Sequence, residues 1–165
     1  ETFAEFRSST SSGRRKHTVS ECGYSRQHIQ QWGGYQIYPA GYYADDASIL
    51  LFCNNNGIAS TEESLIVYRK SENNISSSSC WNVEKSKAAL KYYQWIIDEF
   101  PMKQQDEQII QQRLDFDLYT YFSAALNIHQ SIQILNCIPV NIWNWKKKLL
   151  CLYKFILNSY AKQIK

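Results

Sequence analysis

Tyr43-Ala44-Asp45-Asp46-Ala47-Ser48-Ile49-Leu50-Leu51-Phe52 is the stretch on which the fold of this 165-residue chain turns. Gly41 precedes two adjacent carboxylates, ordinary turn chemistry, and an apolar run follows them. Ser48 to Cys53 after the turn and Tyr35-Gln36-Ile37-Tyr38 before it both read as short strands. Asn54-Asn55-Asn56-Gly57 supplies a turn after the second. Together they predict an antiparallel hairpin with Asp45 and Asp46 at its tip.

Upstream, residues 1–20 are poor in apolar side chains and dominated by Ser, Thr and Arg, which predicts an extended or disordered arm. Within it, Arg7 to Lys16 is Ser/Arg-rich and acid-free, as in targeting or linker segments, and is compatible with a mitochondrial location. Cys22 to Trp32 has a short helical pattern through Tyr24, His28, Ile29 and Trp32, stopped by Gly33-Gly34. Downstream of the hairpin, Ser60 and Glu63 have the spacing of a capping box that starts a helix through Lys70, while Leu65-Ile66-Val67-Tyr68 suits a third strand equally well. Residues 73–80 form a Ser-rich linker, the best internal boundary in the chain.

Beyond that linker the pattern is helical. A helix capped by Asn82 should run to about Glu99, with Leu90, Tyr93 and Ile97 on one face, and Pro101 should end it. A second helical segment, from about Lys103 to Cys137, carries Ile110, Leu114, Leu118, Tyr121, Ala125 and Ile128 as a stripe that slips near Asn127, which predicts a break there. Pro139 stops it, and Asn141 should cap a last helix with Leu149, Tyr153, Ile156 and Tyr160 inward. The expected fold is therefore α+β and mostly helical. A single domain over 21–165 would join a sheet-containing half (21–72) to a helical half (81–165) around one core.

At 165 residues one domain can bury about two thirds of its extended surface. Aromatic residues make up 15%, with twelve Tyr and five Trp, which implies a core finished by half-buried rings or a large contact surface. The net charge of +3 is too small to argue for nucleic acid by itself. Its distribution is uneven: residues 141–165 hold Lys146, Lys147, Lys148, Lys154, Lys162 and Lys165 and no acid, while Glu84, Asp98, Glu99, Asp106, Glu107, Asp115 and Asp117 crowd the middle. These two regions either face each other or leave a basic tail for an anionic surface. Cys22, Cys53, Cys80, Cys137 and Cys151 form no C-x-x-C pair, and with His17 and His28 they lack zinc-finger spacing. Reduced thiols in an intracellular compartment are the expectation.

No nucleophile triad or phosphate-binding glycine loop is visible, so the leading expectation is a non-catalytic interaction or scaffold subunit of a larger assembly. The contact would be made by the last helix through Trp143, Trp145, Lys146, Lys147, Lys148, Leu150, Phe155 and Ile156. Its apolar residues lie almost all around the helix, more than one core face can cover. The spacing of Trp143, Leu150 and Ile156 among lysines is similar to that of calmodulin-gripped peptides and of helices that lie on membrane surfaces. Lys146 to Lys148 interrupt any membrane span. The expected partner is a protein or a second copy of the chain; nucleic acid and a membrane surface are the other readings, and no cofactor is required.

A second line comes from the Tyr43-Ala44-Asp45-Asp46 motif and from Asn82-Val83-Glu84-Lys85-Ser86 downstream of it. Over about residues 33–90 these resemble the palm of non-LTR-type reverse transcriptases, where a Tyr-x-Asp-Asp turn and an Asn-x-x-Lys-[Ser/Thr] element recur. The resemblance implies that Asp45 and Asp46 are catalytic carboxylates that hold Mg²⁺, and that the chain handles nucleic acid. Two-metal chemistry also needs a carboxylate from an earlier strand, yet Asp45 is the first Asp here and only Glu1, Glu5 and Glu21 precede it. On this alternative the chain is a palm remnant that binds Mg²⁺ or nucleic acid, not a self-sufficient polymerase.

Overall fold

The computed structural model describes residues 3–13, 22–53, 57–59 and 77–163. In order, α1 is Phe3–Ser11, α2 Arg26–Gln31, α3 Ala44–Phe52, α4 Asn82–Glu99, α5 Gln104–Ser123, α6 Ile128–Cys137 and α7 Trp145–Gln163. Short 3-10 turns at Pro39–Gly41 and Ser79–Trp81 lead into α3 and α4. Among the described residues there is no strand, so the expected small sheet is absent. The helix or strand expected at 60–70 and residues 73–76 of the linker lie outside the described residues, as does the arm beyond residue 13.

Both expected hairpin strands are replaced, each for a visible reason. Ile49-Leu50-Leu51-Phe52 belongs to α3, in which Ala47, Ser48, Ile49, Leu50, Leu51 and Phe52 are all buried. A helix buried all round carries no 3.6-residue period, and a short apolar run then looks the same as a buried strand. Asp45 and Asp46 supply the acidic first turn that suits the positive end of the helix dipole. Tyr35 to Tyr38 are irregular, and their backbone groups find side-chain partners. Gln36 N–H donates to Ser48 Oγ at 2.9 Å, and Lys91 Nζ donates to the Ile37 carbonyl at 2.8 Å.

The scaffold that receives these segments is the antiparallel hairpin of α4 and α5. Asn82, at the start of α4, donates through Nδ2 to the carbonyls of Tyr121 and Ala124 at the end of α5. Phe100, with φ −116° and ψ 116°, ends α4 before Pro101, as expected of a residue preceding proline. Ala88, Ala89, Tyr92 and Ile96 of α4 meet Ile110, Leu114, Leu118 and Phe122 of α5 in one core. The break expected near Asn127 is present. Asn127 Oδ1 accepts from Gln130 N–H at 2.9 Å as the N-cap of α6, and the Gln130 side chain accepts in return from Leu126 N–H at 2.7 Å.

Residues 3–11, expected to be extended, form α1 instead. Phe6 is 1% exposed in the common core, and Arg7 donates to the Pro101 carbonyl at 3.2 Å. α1 packs on α5 and α3 with Phe6 and Thr10 buried, and this tertiary packing supports a helix whose composition otherwise suggests a polar arm. Gly13 follows it with φ +71°, a conformation that favours glycine, and a Cβ there would lie 3.0 Å from the Arg113 guanidinium, which would have to give way slightly. α2 ends at Gly33 and Gly34, where Gly34 N–H donates to the Ile29 carbonyl at 2.8 Å, the stop expected from the sequence.

Candidate interaction face

Tyr43 takes the left-handed conformation, φ 65° and ψ 4°, just before α3. This strained backbone turns its ring into the core rather than to a hairpin tip. The Tyr43 hydroxyl donates to Asp117 Oδ2 at 2.9 Å and lies 3.0 Å from the Tyr121 hydroxyl. Tyr93 donates to the same oxygen at 2.6 Å, and Arg113 pairs with Oδ1 at 3.2 Å. The Tyr43 ring also stacks on Tyr92, with centroids 4.7 Å apart. Burial holds the phenols of Tyr43, Tyr92, Tyr93 and Tyr121 far above the ordinary range, so they keep their protons, and Tyr43 and Tyr93 use theirs to donate to Asp117. A buried carboxylate satisfied from three directions ties α3, α4 and α5 together.

Asp45 and Asp46, the catalytic and Mg²⁺ candidates, therefore begin a helix, half-buried, with Asp46 N–H donating to Asp45 Oδ1 at 3.1 Å. No group of three or more His, Cys, Asp or Glu side chains that could hold a metal occurs among the described residues. Lys85 and Ser86 of the second motif element are buried in α4. Lys85 donates to the Ser78 carbonyl at 2.9 Å with its ammonium 5.4 Å from the Tyr42 ring, and Ser86 Oγ donates back to the Asn82 carbonyl. All five cysteines are thiols.

α7 departs from its expected phase and start. Asn144, not Asn141, caps it, accepting from Lys147 N–H at 2.9 Å, after a turn over Pro139 to Trp143. Trp143 thus precedes the helix and is fully buried, its indole N–H bonded to Asp115 Oδ1. Lys147 pairs with the same carboxylate and lies 4.6 Å over the Trp143 ring, so the acidic middle and the basic tail do meet at this point. Lys148 turns fully inward at 7% exposure. Its ammonium donates to the Leu135 carbonyl at 2.7 Å and to that of Ile138, satisfying carbonyls at the C-terminal end of α6, where a cation is favoured.

With Lys148 on the inner side, Cys151, Leu152 and Phe155 follow at helical spacing, and Phe155 meets Phe122 at 5.9 Å. Leu149 and Tyr153, expected inward, are instead 64% and 60% exposed, and Ile156 also lies on the exposed side. Of the predicted contact residues, Trp145 (65% exposed), Lys146, Leu150 and Ile156 face out, Phe155 and Lys147 are half-buried, and Trp143 and Lys148 are core. Leu149, Tyr153 and Leu157 complete the exposed set and were not anticipated as contact residues. Their signal was in the sequence: an apolar residue at almost every position of a helix means that some must face out whichever side packs.

The class defined here is a helical domain, with a polar pin in its core and an apolar helix face turned outward. No family model, curated protein or solved structure matches the chain.

Proposed function

We propose that this chain is a non-catalytic interaction or scaffold subunit of a larger assembly and that the outward face of α7 is the surface through which it is held. The observation that carries this reading is the inverted polarity of that helix: Lys148 is buried while Trp145, Leu149, Leu150, Tyr153 and Leu157 are about half or more exposed. Single exposed leucines are commonplace, but these five large apolar side chains, with Ile156 beside them, on one side of one helix form the kind of patch that marks a contact. The hydrogen bonds of Lys148 fix the rotation of the helix, so the exposed side cannot turn inward without stranding a buried cation.

Sedimentation velocity alongside circular dichroism tests the proposal on wild type and on Leu149→Glu/Tyr153→Glu. The expected result is a wild-type chain that associates with itself or a partner, and a variant that does not while keeping its helix signal. A variant that loses the helix signal makes the face part of the core and overturns the reading. So does a wild-type chain that joins no partner of any kind. Trp143 is left intact, because its replacement would report on the core.

A further inference from the structure

We infer that the surface covering the outward face of α7 is an anionic lipid headgroup layer; this rests on the docking-face reading above and names its partner. At 100° per residue, Trp145, Ile156, Leu149, Tyr153, Leu157 and Leu150 fall within an arc of about 140° that excludes Lys148, Cys151 and Phe155, with the Trp145 ring at its edge 5.3 Å from the Lys148 ammonium. Exposed Lys146 lies within this arc near its N-terminal end, and exposed Lys154 at its edge.

Charge selects among the surfaces that such an arc could meet. After Asp117 the chain contains no Asp or Glu, while Lys146, Lys147, Lys148, Lys154, Lys162 and Lys165 all follow it. On α5, Asp115 is already engaged by Lys147 and Trp143. The remaining acids of the hairpin, Glu84, Asp98, Glu99, Asp106 and Glu107, are on α4 and the first turn of α5. Two copies joined face to face would bring Lys146 and Lys154 of each α7 together, and α7 itself carries no acid to meet them, which is unfavourable.

An anionic bilayer meets both needs. Its acyl boundary takes the leucines and Ile156, its phosphates take the ammonium groups, and the amphipathic rings of Trp145 and Tyr153 suit the headgroup depth. From Trp145 to Leu157 the face is about 18 Å long, and α7 is tied to the core along its other side, so it would lie in the plane of the interface. No helix among the described residues is long and apolar enough to cross a membrane.

The test is co-sedimentation of the intact chain with vesicles of phosphatidylcholine alone and of equimolar phosphatidylcholine and phosphatidylglycerol, with a vesicle-free control. Wild type should bind the anionic vesicles, bind neutral ones at least about tenfold more weakly, and lose affinity as salt rises. Lys146→Gln and Lys154→Gln should each weaken binding about fivefold. Leu149→Glu/Tyr153→Glu should abolish it with the helix signal retained. Equal binding to both vesicle types, or anionic binding that survives in the Leu149/Tyr153 variant, overturns the lipid inference. Association in the vesicle-free control with no vesicle binding also overturns it but leaves the docking-face reading standing. A chain that neither associates nor binds vesicles overturns both.

Discussion

Beneath α3 the domain buries an aspartate and three phenols, whereas along the outer side of α7 it exposes a tryptophan, three leucines, an isoleucine and a tyrosine. Hydropathy would exchange them. The core around Asp117 holds because every polar group there meets a partner: two hydroxyls on Oδ2, a guanidinium on Oδ1, and Tyr121 against Tyr43. α7 is held by the same principle applied to a cation, since the ammonium of Lys148 finds two carbonyls of the α6 terminus that need donors. Burial here follows the convergence of donors and acceptors. The apolar side chains of α7 take whichever side that choice leaves.

The largest expected effect breaks the polar side of this comparison. Asp117→Ala removes the shared acceptor of Tyr43 and Tyr93 and the counter-charge of Arg113, and should cost about 3–5 kcal/mol. Chemical denaturation followed by circular dichroism measures it. A loss below about 1 kcal/mol would mean that the network is incidental to stability.

Alkaline pH loads the same region without mutation. Burial pushes Tyr38 up to about 12, and Tyr43, Tyr92, Tyr93 and Tyr121 are raised as well, against an ordinary phenol value of 10.0. Above pH 10 the unfolded chain gives up phenol protons that the folded chain keeps, so the folded state binds more protons and stability falls as pH rises. Stability should be fully present below about pH 10 and lost progressively through pH 12. Phenolate absorbance of the buried rings should then appear together with loss of the helix signal. Full ionisation of all twelve tyrosines with the helix signal unchanged would contradict the buried network.

The smallest effect sharpens the apolar side. Leu149→Ser on the outer face should change stability by no more than about 0.5 kcal/mol, because the residue leaves little water-free contact to lose. Thermal melts of that variant beside Asp117→Ala place the two regions on one scale. A cost near that of a buried leucine would show Leu149 to be packed.

Several helices could be read directly. Asn82 to Glu99 with Pro101 beyond, the stripe of Ile110, Leu114, Leu118 and Tyr121, the break at Asn127 and the stop at Gly33-Gly34 are local signals that needed no distant partner. The excess apolar surface of the last helix was legible as well, and Trp145, Leu150 and Ile156 lie on its exposed side. The expectation failed where a residue's environment comes from remote chain. Phe6 orders α1 only because α5 and α3 offer it a core. In α3, Ala47 to Phe52 are all buried, which removes the period that would have marked the segment as a helix.

By itself, then, the sequence determined a mostly helical chain, its breaks, and a last helix with more apolar surface than one core face can use. The caps expected at Asn82 and Asn141 are not formed: Asn82 is the first residue of α4, and Asn144 caps α7. Only the tertiary structure decided that Ser48 to Phe52 coil instead of pairing, that Asp117 is the buried acceptor for Tyr43 and Tyr93, and that Lys148 turns inward. Local propensity acts over one turn of chain. The phase of a helix that is apolar all round, and the burial of a charge, depend on hydrogen-bond partners that only folding brings within reach.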